Sequence, residues 1–243
     1  MSRLSIIVTT LNAFKKIDSL FSSLMLQVNR NFDLIIVDAN STDGTIEFIR
    51  NSSLPVQLII SPGAGIYEGI NTGIHASTNE YYLVCGSDDE LLPDAVGTIL
   101  SDISNNRSDL LLYAVKKDGI ICQPNMPSKL RRVVGWQSIV ASHSVGAVIK
   151  KELHDKLGYY DVKYKILADG HFFSNVFNTK SAIFISRTVV GRFDTTGISH
   201  RNLYSNIFTT FLIQIEVSPF FYQLCLLIYR LVKYKRYLIN SHR

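Results

Sequence analysis

Cysteine is scarce in this chain of 243 residues: Cys85, Cys122 and Cys225 form no C-x-x-C pair, and no histidine is spaced to complete a zinc site. An odd number at wide, irregular spacing excludes a disulfide-framed scaffold and reads as reduced, buried thiols in a cytosolic protein. Six prolines and 14 glycines are too few for a collagen-like or low-complexity chain. Glycine-rich phosphate loops are missing too: no G-x-G-x-x-G follows the first apolar run, and there is no Walker sequence. Met1-Ser2-Arg3 leads straight into a strand-like run, so no secretory signal is expected.

Net charge is nearly absent from most of the chain. The total is +5, but residues 1–200 hold 19 Lys/Arg and 19 Asp/Glu, so the surplus lies in residues 201–243, with Arg201, Arg230, Lys233, Lys235, Arg236 and Arg243 against Glu216. A neutral main body argues against nucleic-acid binding, which needs a basic face within the fold. With 47% hydrophobic residues there is ample core for one large domain.

What is present alternates between two periods. Leu4–Thr10 is a β-branched apolar run suited to a sheet buried on both faces, and Ala13–Val28 spaces Phe14, Ile17, Leu20, Phe21 and Leu24 as a helix does. The pattern repeats: strand Leu34–Asp38, helix Thr45–Arg50, strand Leu58–Ser61, helix Tyr67–Ala76, strand Tyr81–Cys85. Such a series predicts a parallel, doubly wound α/β sheet, with ligands outside the carboxyl ends of the strands. Beyond it the reading gives a helix near Asp94–Ser104, a strand near Leu110–Val115, a loop or short hairpin with basic residues Lys129–Arg132, a strand at Ser144–Ile149 and helices at Lys151–Leu157 and Asp169–Asn178.

Residues 202–229 carry one charge, Glu216, yet Glu216 and Pro219 divide them. The remaining Val217–Tyr229 would reach about 20 Å as a helix, short of a hydrocarbon core of about 30 Å. Phe220, Leu224, Leu227/Ile228 and Leu231 mark one helical face, with Lys233, Lys235 and Arg236 after it. An interfacial helix beside anionic lipid is expected, or a helix packed on the domain or in a dimer.

Carboxylates gather at the expected strand ends. Asp38 and Asp43 follow the second strand, Glu68 the third, and Asp88, Asp89 and Glu90 the fourth. Such a cluster repels itself unless a cation sits among its members, and hard oxygen ligands suit Mg2+ or Mn2+. Singly, each acid also reads as a cap or turn residue, Asp43 in S-T-D-G-T above all.

The run Leu4–Thr10 with Leu11-Asn12, then Val37-Asp38-Ala39-Asn40-Ser41-Thr42-Asp43-Gly44-Thr45, then Gly65-Ile66-Tyr67-Glu68-Gly69-Ile70-Asn71-Thr72-Gly73-Ile74, then Ser87-Asp88-Asp89, resembles the successive signatures of family 2 glycosyltransferases. The resemblance spans residues 4–200 and is closest to bacterial members that build surface polysaccharide such as O-antigen or capsule. It implies a GT-A fold at residues 1–200 with a helical, basic extension at 201–243. It also implies inverting transfer from a UDP-sugar with Mn2+ or Mg2+.

Carried over by position, Thr10, Asn12, Asp38 and Asn40 match the family's nucleoside pocket, with Glu68, Asn71 and Asp88 as further nucleotide-sugar residues. Asp89 matches the metal ligand, although a strict D-x-D is absent. Ile166-Leu167-Ala168-Asp169-Gly170-His171 is similar to the A-D-Y-D segment, which makes Asp169 the expected base toward the acceptor hydroxyl. His143, His171, His200 and Arg201 match acceptor or diphosphate positions. The implied acceptor is a saccharide on a polyprenyl diphosphate, at the inner face of the cytoplasmic membrane, and an oligomer is compatible with the sequence. Two rival readings are a nucleotidyltransferase, which lacks its basic glycine loop here, and a non-catalytic scaffold, which has no use for Asp88, Asp89 and Asp169 together.

Overall fold

Strand β1 (Leu4–Thr10) alternates its side chains between two cores. Leu4, Ile6 and Val8 join the cluster formed with α1 (Ile17–Met25), α2 (Thr45–Arg50) and α4 (Ala95–Asn106), whereas Ile7 joins the cluster formed with α3 (Ile66–Ala76), α6 (Glu152–Leu157) and α7 (Ala168–Phe177). Both faces are thus covered, which is why these strands read as continuous apolar runs. The computed structural model describes residues 4–193 and 203–241, and side chains through Lys233 except Leu203.

The sheet runs β3 (Val56–Ile60), β2 (Phe32–Asp38), β1, β4 (Tyr81–Gly86), β8 (Ala147–Lys150), β6 (Leu110–Lys117), β9 (Ile183–Phe193), β5 (Glu90–Leu91), with β7 (Ile120–Cys122) paired to β6. The first four strands are parallel, as expected from the β-α-β series. Beyond β4 the sheet is mixed: β8 is antiparallel to β4 and β6, β9 is parallel to β6, and β5 is antiparallel to β9. The expected hairpin forms between β6 and β7.

Three elements differ from the sequence reading. The first helix is α1, nine residues long, and shorter than the periodic stretch Ala13–Val28. Residues 129–134, expected in a loop, form the short helix α5 (Lys129–Val134), capped where the Ser128 hydroxyl accepts from the Arg131 amide. Strand β9 was not expected, although Ile183-Phe184-Ile185 and Val189-Val190 carry β-branched and aromatic residues; its pairing with β6 shifts register between Leu112 and Val115.

Glycine sets how close α3 lies to the sheet. A Cβ on Gly73 would stand 2.4 Å from Ile7 Cγ2, and one on Gly69 2.8 Å from Thr9 Cγ2. The Gly69-x-x-x-Gly73 spacing therefore seats α3 directly on β1, which fixes where Tyr67 and Asn71 reach.

The chain after residue 202 breaks at Ser218-Pro219 into α8 (Leu203–Val217) and α9 (Phe220–Ser241). Ile213 is part of the α3/α7 core, and Glu216 accepts from the Tyr164 hydroxyl at 2.7 Å. Helix α9 lies on α5 through Gln223, whose amide donates to the Val133 carbonyl, and Arg230, which donates to that of Val134. Of the face expected on α9, Leu227 packs inward, while Phe220 and Ile228 are exposed together with Phe221, Tyr222, Tyr229 and Val232. No described helix is long and apolar enough to cross a membrane.

Candidate active site

The carboxyl ends of β1, β2 and β4 form one rim, and its polar groups are largely occupied by one another. Asp38 is fully buried and accepts from the Thr10 hydroxyl at 2.6 Å, the Ser41 amide at 2.6 Å and the Ser41 hydroxyl at 2.7 Å. Asn12 and Asn40 both take left-handed backbone, at φ 51° and 73°, which asparagine tolerates. Asn12 Oδ1 accepts from the Thr42 amide, and its own amide donates to the Ser41 hydroxyl. Asp43 caps this loop, accepting from Thr45 and from the Phe14 amide. Burial acts to raise its carboxyl, but the bonds from Thr45 and Phe14 outweigh that and hold it below the ordinary range. Asp38 and Thr10, expected to meet the nucleoside, bond each other, Asp38 also bonds Ser41 within the loop, and Asn12 and Asn40 are the exposed residues of this group.

At the end of β4 the two aspartates divide their work. Asp89 is 1% exposed; its Oδ2 accepts from the Gly86 amide at 2.7 Å and from the Ser144 hydroxyl. Asp88 faces the rim, 20% exposed, with Oδ2 3.0 Å from the Lys16 ammonium. Gly86 permits this fold-back, because a Cβ there would stand 2.9 Å from both Asp88 Oδ1 and Asp89 Oδ2. Asp89, the expected cation ligand, holds the turn by its bonds to Gly86 and Ser144, and Asp88 is the carboxylate on the open side. Glu90 pairs with Arg192 across β5 and β9 at 3.1 Å. Among the described residues no three His, Cys, Asp or Glu converge as a metal cage. A divalent ion shared with a substrate's phosphates needs only one or two carboxylates, so Asp88 fits one of that kind.

Asp169 lies in the first turn of α7, 7% exposed. Its Oδ1 is 2.6 Å from the Tyr67 hydroxyl, which also lies 2.8 Å from the Ile166 carbonyl. Its Oδ2 is 3.8 Å from His143 Nδ1. Burial and the neighbouring Asp169 charge push the Tyr67 phenol well up, so it stays a proton donor. Helix α7 starts against Trp136; a Cβ on Gly170 would fall 2.2 Å from Trp136 Nε1, so glycine is required there for close approach.

His143 and Ser144 join the two parts. Adjacent in sequence, they face Asp169 and Asp89 respectively. Val145, next in the chain, is a buried β-branched residue at φ 66°, a conformation costing about 1–3 kcal/mol that persists only where the surroundings impose it. Here its amide is held by the Val84 carbonyl at 2.8 Å, and its Cγ1 fills the space a Cβ on Gly191 would need.

A family model described as glycosyl transferase family 2 matches residues 5–183, a stretch that contains Asp38, Asp88, Asp89, His143 and Asp169. The chain belongs to glycosyl transferase family 2. It is a glycosyltransferase, and the nucleotidyltransferase and scaffold readings fall with that. A PGL/p-HBAD biosynthesis glycosyltransferase of Mycobacterium tuberculosis is 27% identical over 188 residues, covering 74% of this chain and 71% of the relative. An uncharacterized glycosyltransferase of Haemophilus influenzae is 28% identical over 181 residues, covering 70% and 60%. Among solved structures, Staphylococcus aureus TarS 1–349 in complex with UDP-GlcNAc aligns with TM-score 0.64 at 19% identity, covering 94% of this chain and 71% of that one. The mannosyltransferase PcManGT of Pyrobaculum calidifontis, in complex with GDP-Man and Mn2+, aligns with TM-score 0.68 at 18% identity, covering 93% and 69%. These likenesses establish the GT-A fold. The chain spans only 39% of a longer TarS structure.

Other expected site residues of the glycosyltransferase serve its architecture. Glu68 accepts from the Gly65 amide at 2.7 Å, closing the first turn of α3, and Asn71 brackets the Tyr160 backbone, donating to its carbonyl at 2.9 Å and accepting from its amide at 3.1 Å. Both are expected on the nucleotide-sugar, and the bonds they make fix α3 and the segment leading to Asp169. His171 pairs with Glu216 of α8 at 3.3 Å and packs on Tyr164, so it anchors α8. His200 and Arg201 lie outside the described residues. Tyr67 and Lys16 were missed by sequence reasoning; Tyr67 sits inside the G-I-Y segment, where the signal was available, whereas Lys16 gave none.

Proposed function

We propose that this glycosyltransferase moves a sugar from a UDP-sugar to a saccharide carried on a polyprenyl diphosphate, with inversion, in the synthesis of a surface polysaccharide such as O-antigen or capsule. The observation that carries the reading is the dipeptide His143-Ser144, which meets Asp169 through His143 and, through Ser144, the buried Asp89 that holds the turn bearing Asp88. Asp169 takes the proton of the acceptor hydroxyl as that oxygen attacks the anomeric carbon, and Tyr67 orients the carboxylate by donating to Oδ1. Asn12 and Asn40 face the nucleoside; Thr10, Asp38, Glu68 and Asn71 keep the loops that surround it in place. Asp88 would hold a Mn2+ or Mg2+ ion, with Asp89 positioning that turn. The ion supplies charge stabilisation to the departing diphosphate. The relative named for poly(ribitol-phosphate) β-N-acetylglucosaminyl transfer, the UDP-GlcNAc complex of TarS and the Mn2+ complex of PcManGT support a nucleotide-sugar, metal-assisted reading.

Residues 201–243 are read as a helical extension that rests on the domain with one side and on anionic membrane with the other. Phe220, Phe221, Tyr222, Ile228 and Tyr229 present an exposed apolar surface on α9, with Lys233 beyond it. The reading places the protein at the cytoplasmic side of the inner membrane. Replacing Phe221 and Tyr222 by serine should lower co-sedimentation with vesicles of anionic lipid at least about tenfold, since each aromatic adds roughly 1.5–3 kcal/mol when buried; unchanged partition at equal salt would remove the membrane from the reading.

The function is tested with a panel of UDP-sugars and GDP-mannose, a polyprenyl-diphosphate saccharide acceptor, and Mn2+, Mg2+ or chelator. Transfer from one UDP-sugar with a β-linked product from an α-linked donor, lost on chelation, is the expected result. Transfer only from GDP-mannose, or a retained anomeric configuration, would overturn the donor or the inverting assignment respectively.

A further inference from the structure

A line of buried side chains runs from the surface turn at Gly158 to Asp169. His154 Nδ1 is 3.0 Å from the Gly158 carbonyl, His154 Nε2 is 2.7 Å from the Tyr82 hydroxyl, Tyr82 is 2.8 Å from the Tyr160 hydroxyl, and Tyr160 is 2.9 Å from His143 Nε2. Tyr82, His154 and Tyr160 are each at most 2% exposed, so water does not reorient the line.

Its direction is fixed at one end. A carbonyl oxygen only accepts, so His154 Nδ1 carries a proton. Burial depresses the His154 ring to about 4, so near neutral pH it holds that one proton and Nε2 must accept. Tyr82 then donates to His154, and its oxygen accepts from Tyr160. The proton of Tyr160 being spent, its oxygen accepts from His143, which must carry its proton on Nε2. Nδ1 of His143 is left bare, 3.8 Å from Asp169 Oδ2. Two lone pairs face each other across that gap, and a single added proton converts the repulsion into a hydrogen bond.

We propose that His143 is a second proton acceptor of the reaction, its Nδ1 kept bare by the Tyr160–Tyr82–His154 line, so that Asp169 and His143 act as one base. The proposal rests on Asp169 as the group that meets the acceptor hydroxyl. As the acceptor O–H bond breaks, its electron pair forms the bond to the anomeric carbon, and the pair of the broken anomeric C–O bond leaves on the nucleoside diphosphate. The proton goes to Asp169 Oδ2. It passes to His143 Nδ1 when the two atoms close to about 3 Å, which regenerates the carboxylate beside an imidazolium, and water takes it after the product leaves. The titratable groups facing His143 are Asp169 from α7, Tyr160 from the segment before it and, at the far end of the line, His154 from α6; Tyr67 from α3 faces the other oxygen of Asp169, and the Asp89 carboxylate from the β4 turn meets the neighbouring Ser144. Burial lowers the proton affinity of His143 and Asp169 raises it, so the pair titrates as a unit.

Three measurements on the full chain test this. Nitrogen-15 spectra of the histidine rings near pH 7 should show His143 as the Nε2–H tautomer; an Nδ1–H tautomer overturns the proposal without any assay of activity. In His143→Gln the amide still donates to Tyr160 but offers Asp169 no proton site. Its kcat should fall roughly 10- to 100-fold at pH 7, and the acid limb of kcat/KM should move down by about one pH unit, because one proton site remains where there were two. Tyr82→Phe frees Tyr160 to donate to His143, turning the His143 tautomer, and should move the limb the same way although Tyr82 touches neither His143 nor Asp169. A uniform loss at every pH in both variants would reduce His143 to a structural part. Full turnover in Asp169→Asn would defeat the base reading first, which distinguishes that failure from a failure of the relay alone.

Discussion

The β1–β2–β4 rim and the surroundings of Asp169 are built on opposite plans. At the rim, polar side chains satisfy backbone groups a few residues away or on the adjacent loop, as Asp38 does with Ser41 and Asp43 with Thr45. Around Asp169 the partners come from Tyr67, Tyr82, His143, His154 and Tyr160, on separate elements, and most are aromatic and buried. A rim of self-capped loops holds a shape for a ligand to settle on. A buried polar line in low dielectric instead fixes the ionisation of the group at its end. The two halves of one site should therefore fail in different ways.

The largest expected effect follows from that contrast. Asp169→Asn should lower kcat by roughly 10²–10⁴-fold, the usual weight of general-base catalysis, while UDP-sugar binding changes little. Asp88→Asn should mainly weaken metal-dependent donor binding and raise KM. Initial rates together with calorimetric donor titrations separate the two. A pair of variants with the same kcat and KM pattern would break the division between halves.

Next in size is Asp38→Ala, which leaves the Thr10 hydroxyl and two groups of Ser41 without their buried acceptor. Each such orphan costs about 1–3 kcal/mol, and partial relaxation leaves about 3 kcal/mol in all. Urea midpoints check this. Asp38→Asn sharpens it: a variant with near-normal stability and abolished donor binding would return Asp38 to the nucleoside pocket and undo the view of the rim as self-capped.

How legible each half is in the sequence follows the same division. Strands β1 to β4 and the helices between them were readable because both periodicities are local and both faces of the sheet are covered. Their ends were readable for the same reason, so the rim residues were found, although not that Asp38 points inward. Strand β9 escaped because its pairing partner, β6, lies some seventy residues earlier and its run is interrupted by Ser186-Arg187-Thr188. The line from His154 to Asp169 was illegible for a stronger reason: no spacing connects residues 67, 82, 143, 154, 160 and 169, and only the seating of α3 by Gly69 and Gly73 and the bracket of Asn71 on Tyr160 bring them together. Asn71 and Glu68 stand out in the motif, but their bonds to the backbone of Tyr160 and Gly65 become visible only in the folded chain.

The smallest predicted effect separates the two plans by pH. A histidine whose folded pKa lies below its unfolded value takes up fewer protons folded than unfolded at intermediate pH, so stability falls as the solution is acidified through that window. For His154 the window runs from about 6.5 down to about 4. Each unit is worth about 1.4 kcal/mol, so roughly 2 kcal/mol is lost between pH 6.5 and 5 on its account. His143, also lowered by burial, adds to the same slope, so the contribution of His154 is the difference between wild type and His154→Gln, whose amide retains a donor for Gly158 or an acceptor for Tyr82. Urea midpoints at pH 6.5 and 5 should draw closer together in the variant. Asp43 belongs to the rim and has the opposite origin: hydrogen bonds lower its carboxyl, so its contribution is kept until the pH falls below the ordinary carboxylate range. An equal acid slope in wild type and His154→Gln would mean that His154 carries a second proton near neutrality, and the direction of the hydrogen bonds from its Nε2 through Tyr82 and Tyr160 to His143 would reverse, while Nδ1 still donates to the Gly158 carbonyl.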